Sequence, residues 1–178
     1  MGDRKAFERI AKIETLANGI INALLNGGLA WLTLGDGGHL TLGGENSYAA
    51  DTAATAFVLP VLLSLIVISL NRRKLKNGAH QPIDLNPENA LETLLARFPT
   101  STWRQALMIG LIATALTTPL VVGLLWASGM QQIAPADYAV IKGLWTGLLA
   151  AALTRPALLL ALGRPLEVQA DHAGAKQS

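Results

Sequence analysis

The sequence predicts an all-α integral membrane protein with four transmembrane helices. Composition is the first reason: 51% of the 178 residues are hydrophobic and only 15% are charged, whereas soluble domains carry roughly 25% charged residues. The second reason is the presence of four apolar runs. Each is about as long as the ~20 residues that a helix needs to cross a ~30 Å hydrocarbon core. The runs cover residues 16–35, 52–70, 105–127 and 139–162.

Two alternatives to four transmembrane helices are a cleaved secretory signal and a soluble helical bundle. The basic residues before run 16–35 are also typical of a cleaved secretory signal, but the run is too long for one and no small-residue cleavage site follows Trp31. The runs are also possible as buried helices of a soluble bundle, but such helices keep a polar stripe along their length and these mostly do not. The membrane interpretation is therefore favoured.

The positions of lysine and arginine predict the orientation. Four precede the first run, namely Arg4, Lys5, Arg9 and Lys12, and six lie between the second and third runs, namely Arg72, Arg73, Lys74, Lys76, Arg97 and Arg104. The loops at 35–51 and 128–137 contain neither residue type. The positive-inside rule therefore places both termini and the central segment in the cytoplasm. Aromatic residues at the run ends predict an interfacial belt of Trp31, Tyr48, Trp103, Trp126 and Tyr138.

The chain divides into two similar hairpins, residues 1–70 and 105–165, and the first begins with a cytoplasmic N-terminal helix. GLAW at 28–31 matches GLLW at 123–126, and AFVLPVLL at 56–63 matches ALTRPALL at 152–159. An even number of spans per copy makes the two repeats parallel, related by an axis along the membrane normal. We therefore expect a single membrane domain built from a diverged duplication.

The segment that joins the hairpins, residues 71–104, is predicted to hold an amphipathic helix at about 87–98. Asn86 is a suitable N-cap and Pro87 a suitable first residue, while Pro99 ends the helix. The apolar residues expected on one face are Ala90, Leu91, Leu94, Leu95 and Phe98. A spacer on the inner membrane surface is favoured over a partner-binding helix. The polar tail at 166–178 is predicted to be disordered.

Two neighbouring stripes run along the first span. Asn18, Asn22 and Asn26 recur every fourth residue, and the same stripe continues inward to Glu14. Beside it lie small residues at the same spacing, which let another helix approach closely. The small residues of this span are Gly19, Ala23 and Gly27, and a similar row in the fourth span holds Gly143, Gly147 and Ala151. We therefore predict that spans one and four pack along these rows.

Arg155 is the next residue on the row of the fourth span, at an estimated depth of roughly 13 Å. A guanidinium at that depth usually points into the bundle and pairs with oxygen atoms. The prediction is that Asn22 or Asn18 holds Arg155, with Glu14 supplying charge nearer the interface. Lys142, near the outer boundary, is expected to extend toward the headgroups.

The stripe has three possible roles: interhelical hydrogen bonding, the wall of a solute pathway, and a partner-subunit interface. Thr114 and Thr118 of the third span are candidate pathway residues, although threonine readily satisfies its own helix. Prolines free backbone carbonyls and can act as hinges, so Pro60, Pro119 and Pro156 are candidate hinges.

Several function classes receive no support. Cysteine is absent, which removes thiolate chemistry and disulfides. The outer-loop residues Asp36, His39, Glu45 and Asp51 match no metal-ligand spacing, and no catalytic motif occurs. No enzyme activity, cofactor, metal or nucleic-acid partner is therefore expected.

The best functional hypothesis is a permease-like or channel-like unit for a small polar or anionic solute, in the bacterial inner membrane and working as a homo-oligomer or a subunit. The alternative is a non-transporting accessory or assembly protein of a membrane complex. The general character resembles that of small bacterial membrane proteins labelled permease, although no motif identifies a family.

Overall fold

The computed structural model describes residues 2–35 and 37–164, and for residues 2 and 3 the backbone only. Five helices account for most of the described chain, and four two-residue strands link their ends. The helices are α1 (Gly2–Leu34), α2 (Tyr48–Lys76), α3 (Ala90–Ala96), α4 (Thr102–Ala127) and α5 (Pro135–Leu162). The strands are β1 (Leu40–Thr41), β2 (Ile83–Asp84), β3 (Gln132–Ile133) and β4 (Gly163–Arg164). The predicted tail at 166–178 lies outside the described residues.

Three of the helices, α2, α4 and α5, are long and apolar enough to cross a membrane. Helix α1 is the longest, at 33 residues, but it is not among the three. Its stretch from 18 to 26 contains three asparagines, which lower its hydropathy. The structure thus supports a membrane-embedded helical protein.

The helices begin and end where local chemistry favours it. The Ser47 hydroxyl caps α2 by accepting a hydrogen bond from the backbone N–H of Ala50, at 3.1 Å. Asp51 lies in the first turn of α2 and three basic residues lie in its last turn, and both placements complement the helix dipole. Helix α5 has Pro135 at its first position, where a missing N–H costs nothing.

The loop between α1 and α2 pairs with the loop between α4 and α5. Strands β1 and β3 are antiparallel, with Leu40 opposite Ile133, and both side chains belong to a buried cluster with Tyr48, Leu125 and Tyr138. Both tyrosines are fully buried, so their predicted place in a lipid-facing aromatic belt is wrong: the paired loops cover them. The three tryptophans predicted for the belt, Trp31, Trp103 and Trp126, are exposed.

The segment between α2 and α4 differs from the prediction. Its helix is shorter than 87–98, running from Ala90 to Ala96, and its N-cap is Asn89, whose side chain accepts from the N–H groups of Leu91 and Glu92. The buried face contains Glu92 and Leu95, whereas Leu91 and Leu94 are exposed. Of the predicted apolar face, Leu95 is therefore buried against the rest of the protein, whereas Leu91 and Leu94 are not.

An ion pair between Arg4 of α1 and Glu92 of α3 fixes the orientation of α3. The Glu92 carboxylate is almost completely buried, and it accepts hydrogen bonds from both terminal nitrogens of Arg4 and, at 2.8 Å, from the backbone N–H of Asn86. The Arg4 hydrogen bond is the main cause that lowers the Glu92 carboxyl pKa from its usual value, against the opposing effect of burial. This contact fastens the start of α1 to α3.

At the same end of the molecule, β2 pairs in parallel with β4, with Ile83 opposite Gly163. The largest apolar cluster lies there as well and joins Phe7 and Ala11 of α1 to Ile68 of α2 and Leu158 of α5. The segment between the hairpins is thus a packed cap over one end of the bundle.

Candidate functional site

The three asparagines of α1 lie on one face and are each half-buried. The side-chain N–H groups of Asn22 and Asn26 donate to the backbone oxygens of Asn18 and Asn22, at 2.9 and 3.0 Å. The Asn18 side chain donates to the Thr154 hydroxyl of α5 at 3.2 Å. Because a backbone oxygen or a hydroxyl oxygen accepts from the amide nitrogen in each case, the amide oxygens stay available as acceptors. Within the described chain, no donor contacts them.

These asparagines line a cleft of about 620 Å³ between α1 and α2. The opposite wall is apolar and includes Leu59 and Leu63 of α2, and Lys142 of α5 contributes to the lining. Several lining residues remain more than half exposed, including Leu25 at 64% and Ile66 at 57%. The cleft therefore has one polar wall and one apolar wall, and this chain alone does not enclose it.

A polar cluster joins α2 to α5 at the end of the cleft nearest strands β1 and β3. The Lys142 ammonium donates to both carboxylate oxygens of Asp51, at 2.8 and 2.7 Å, and the Tyr138 hydroxyl donates to the same carboxylate at 2.6 Å. Lys142 is buried, so the expectation that it extends toward the headgroups is wrong. The nearby carboxylate supplies the pairing that a buried ammonium requires.

Glu14 lies at the opposite end of the cleft, one helical turn from Asn18. Its carboxylate accepts from the Asn71 amide at 3.3 Å and from the Lys74 ammonium at 3.4 Å. Both partners are on α2, so Glu14 contributes to an α1–α2 contact and not to a site with Arg155. Ion pairs thus lie at both ends of the amide-lined cleft.

The predicted packing of α1 on α5 is confirmed. A Cβ atom built on Gly27 would lie 3.2 Å from the Gly143 Cα, and one on Gly147 would lie 2.8 Å from the Ala23 Cβ. A Cβ on Gly19 would lie 3.3 Å from that of Ala151. The small residues therefore meet along the whole contact, which we call the α1–α5 seam.

The predicted partners of Arg155 are wrong. Its guanidinium donates to Glu8 at 2.8 Å, and neither Asn18 nor Asn22 contacts it within the described chain. The seam places Ala151 beside Gly19, so Arg155 lies about one turn beyond Asn18, toward the start of α1. Its long side chain then extends toward the charged end of α1, where Glu8 lies. Arg155 consequently lies outside the cleft.

The remaining candidates are dispersed. Thr114 donates to the Gly110 backbone oxygen of its own helix at 2.7 Å, and both Thr114 and Thr118 belong to α4, which contributes nothing to the cleft lining. Pro60, Pro119 and Pro156 each lie inside an uninterrupted helix. Their role as hinges stays a prediction.

Sequence reasoning missed a second polar row, on α5. Lys142, Thr146 and Thr154 lie on one row of α5 at multiples of four residues, with Ala150 between the two threonines, and all three are buried. Thr154 accepts the hydrogen bond from Asn18. The row is visible in the sequence, next to the row of Gly143 and Gly147. The sequence prediction places Asp51 only among the outer-loop residues, although its position in the first turn of α2 directs it toward α5.

No protein-family model matches this chain, and neither a curated protein nor a solved structure matches it. Among residues 2–35 and 37–164, no three histidine or acidic side chains lie close enough together to hold a metal ion. Asp36 of the predicted outer-loop group lies outside that part of the chain.

Proposed function

We propose that the chain crosses a bacterial inner membrane four times, with α1 as the additional span and both termini in the cytoplasm. Helix α1 packs lengthwise on α5, which is itself long and apolar enough to span. The side of α1 away from the bundle is apolar and exposed, with Leu24 at 70% and Leu32 at 82%, as lipid contact requires. The chain's basic residues cluster at the Arg4–Glu92 end, which supports a cytoplasmic position for that end.

The helix packing supports a duplication of a two-span unit. Helix α1 packs on α5, α4 packs on α2, and α2 packs on α5 at the centre. A two-fold axis along the membrane normal that exchanges the hairpins would convert the first contact into the second and leave the third unchanged. The pairing of the two outer loops through β1 and β3 fits the same axis.

We infer that the protein acts as a permease-like unit and that the cleft between α1 and α2 is its solute route. One observation carries this proposal: three asparagines whose amide oxygens have no donor within the described chain line the cleft, between an ion-paired cluster at Asp51 and another at Glu14. Polar groups that face a cavity within a membrane are suited to line a solute pathway. Movement of a solute along such a route requires no catalytic residue or cofactor.

The amide oxygens favour a particular solute chemistry. As acceptors, they suit a small polar solute that carries N–H or O–H groups. An anionic solute would need a positive charge such as that of Arg155 in the route. Arg155, however, lies outside the cleft and is paired with Glu8. The charge of Lys142 is neutralised by Asp51. The proposed solute is therefore small, polar and rich in hydrogen-bond donors.

The exposed lining residues favour an oligomer or a larger complex. Leu25, Leu62 and Ile66 line the cleft yet are more than half exposed. A second copy or another membrane subunit placed against these residues would close the route on its open side.

Water access tests the proposal. The chain has no cysteine, so single variants Asn18→Cys, Asn22→Cys and Asn26→Cys can be labelled in vesicles with a membrane-impermeant thiol reagent. We expect graded labelling from one side. Leu116→Cys is the control, because Leu116 is an exposed apolar residue of α4 that does not line the cleft and should stay unlabelled.

The alternative role is a non-transporting accessory protein in which the same asparagines only join helices. The hydrogen bond from Asn18 to Thr154 favours it, since it links α1 directly to α5. If all three cysteines resist labelling from both sides, this alternative replaces the permease proposal. Uptake of small polyols and amines into vesicles, compared between wild type and Asn22→Leu, then tests transport itself.

A further inference from the structure

A second cavity, of about 570 Å³, lies at the end of the bundle that carries α3 and is separate from the cleft. The ends of α2, α4 and α5 meet there. Two arginines, Arg72 and Arg97, contribute to its lining, together with polar and apolar residues. Among the residues that the structure describes, none of those lining this cavity is acidic. The cavity therefore carries an excess of positive charge.

Arg72 is held entirely by uncharged groups. Its guanidinium donates to the backbone oxygens of Thr100 and Leu160, at 2.9 and 3.2 Å, to the Thr102 hydroxyl at 2.7 Å, and to the buried Gln105 side chain at 3.0 Å. These bonds fix its position without neutralising it. Its Nε–H has no acceptor within the described chain. A half-buried, immobilised guanidinium without a carboxylate is suited to receive an anion.

Two further features add positive potential. Arg97 is exposed, and within the described residues its side chain forms no hydrogen bond or ion pair. Helix α4 begins at the cavity, and its N-cap Ser101 makes no side-chain capping bond, so the positive end of the helix dipole is not masked by a cap. Leu85, Phe98 and Leu159 supply an apolar wall beside these groups.

We propose that this cavity binds a phosphate group between Arg72 and Arg97. Arginine is suited to phosphate because its planar donors match the phosphate oxygens. The phosphate belongs either to an anionic lipid headgroup, whose acyl chain would lie on the apolar wall, or to free phosphate. Basic pockets between spans on the cytoplasmic side are typical places for anionic headgroups. The proposal does not depend on a role of the cleft in transport.

Lipid binding to the full chain in detergent, followed by native mass spectrometry, tests the site. The probes are phosphatidylglycerol, phosphatidylcholine as the zwitterionic comparison, and inorganic phosphate as a competitor. Arg97→Gln is the test variant, since Arg97 supports no other group. Arg104→Gln is the matched control, because Arg104 is exposed near the start of α4 and does not line the cavity.

We expect phosphatidylglycerol to bind more tightly than phosphatidylcholine, and its Kd to rise roughly tenfold or more in Arg97→Gln while Arg104→Gln leaves it unchanged. Displacement of the lipid by inorganic phosphate would identify a site for free phosphate, and resistance to displacement would identify a headgroup site. Equal weakening in both variants, or no weakening in Arg97→Gln, would overturn the proposal, because the binding would then be non-specific attraction.

Discussion

Arg4 and Glu92, 88 residues apart in the sequence, form a two-pronged ion pair whose carboxylate is almost completely buried. The pair fixes the start of α1 against α3. Arg4 also forms an ion pair with Glu8, whose carboxylate accepts a hydrogen bond from Arg155 of α5. One charge network therefore links three helices at the end of the molecule where the first helix begins.

Glu92→Gln should destabilise the protein by about 1–3 kcal/mol at neutral pH, because the buried acceptor loses its charge-assisted hydrogen bonds. The folded-state pKa of Glu92 is lowered from a value of 4.5. Its contribution is therefore complete above about pH 4.5 and is lost as the pH falls through the lower folded pKa. The wild-type advantage in Tm should accordingly shrink in acid. Glu88→Gln, at an exposed residue of the same segment, is the control, and an equal loss there would contradict the prediction.

Gly147→Ala should destabilise the α1–α5 seam by about 1–3 kcal/mol, because the new methyl group meets the Ala23 Cβ and the Gly19 backbone oxygen below 3.0 Å. Gly123→Ala on α4 has nothing within 4 Å of the added atom and should leave stability unchanged or raise it. Thermal unfolding in detergent measures both. A tolerated Gly147→Ala would show that the helices do not approach as closely as described.

Cysteine pairs test the register of the seam directly. Gly19→Cys combined with Ala151→Cys should form a disulfide, because the two Cβ positions lie 3.3 Å apart, close to the usual separation of about 3.8 Å. Asn22→Cys combined with Arg155→Cys should not, since Asn22 lies beside Thr146 and residue 155 is about 13 Å further along α5 at 1.5 Å per residue. Gel mobility before and after mild oxidation reports the outcome, and the reverse pattern would shift the register by about two turns.

Removal of one partner from the Asp51–Lys142 pair should cost more than removal of both. Asp51→Asn leaves the buried Lys142 ammonium without a counter-charge, at a cost of about 1–3 kcal/mol, whereas Asp51→Asn combined with Lys142→Met removes the unpaired charge. A double-mutant cycle in Tm or denaturant unfolding measures the coupling. Additive losses would mean that the two side chains do not depend on each other.

The sequence was sufficient to predict the α1–α5 seam, because glycines and alanines at every fourth residue of a helix let another helix approach closely. It was insufficient for Arg155 and Glu14, because a long side chain can extend by more than a turn and helical spacing does not say in which direction. The prediction that Tyr48 and Tyr138 belong to an interfacial belt is wrong because the two loops paired through β1 and β3 bury them. Strands of two residues are too short to show an alternating hydrophobic pattern in the sequence, so this pairing could not be predicted.

The order of synthesis gives the α1–α5 seam a further consequence. Helix α1 is synthesised before α5, yet α5 is the helix that covers Gly19, Gly27 and Asn18. If α1 spans the membrane as proposed, its row of small residues and Asn18 lack their partner helix until α5 has been made. Chains truncated before α5 should then be poor at retaining α1 in the bilayer, so that α5 would be the helix that holds α1 in place.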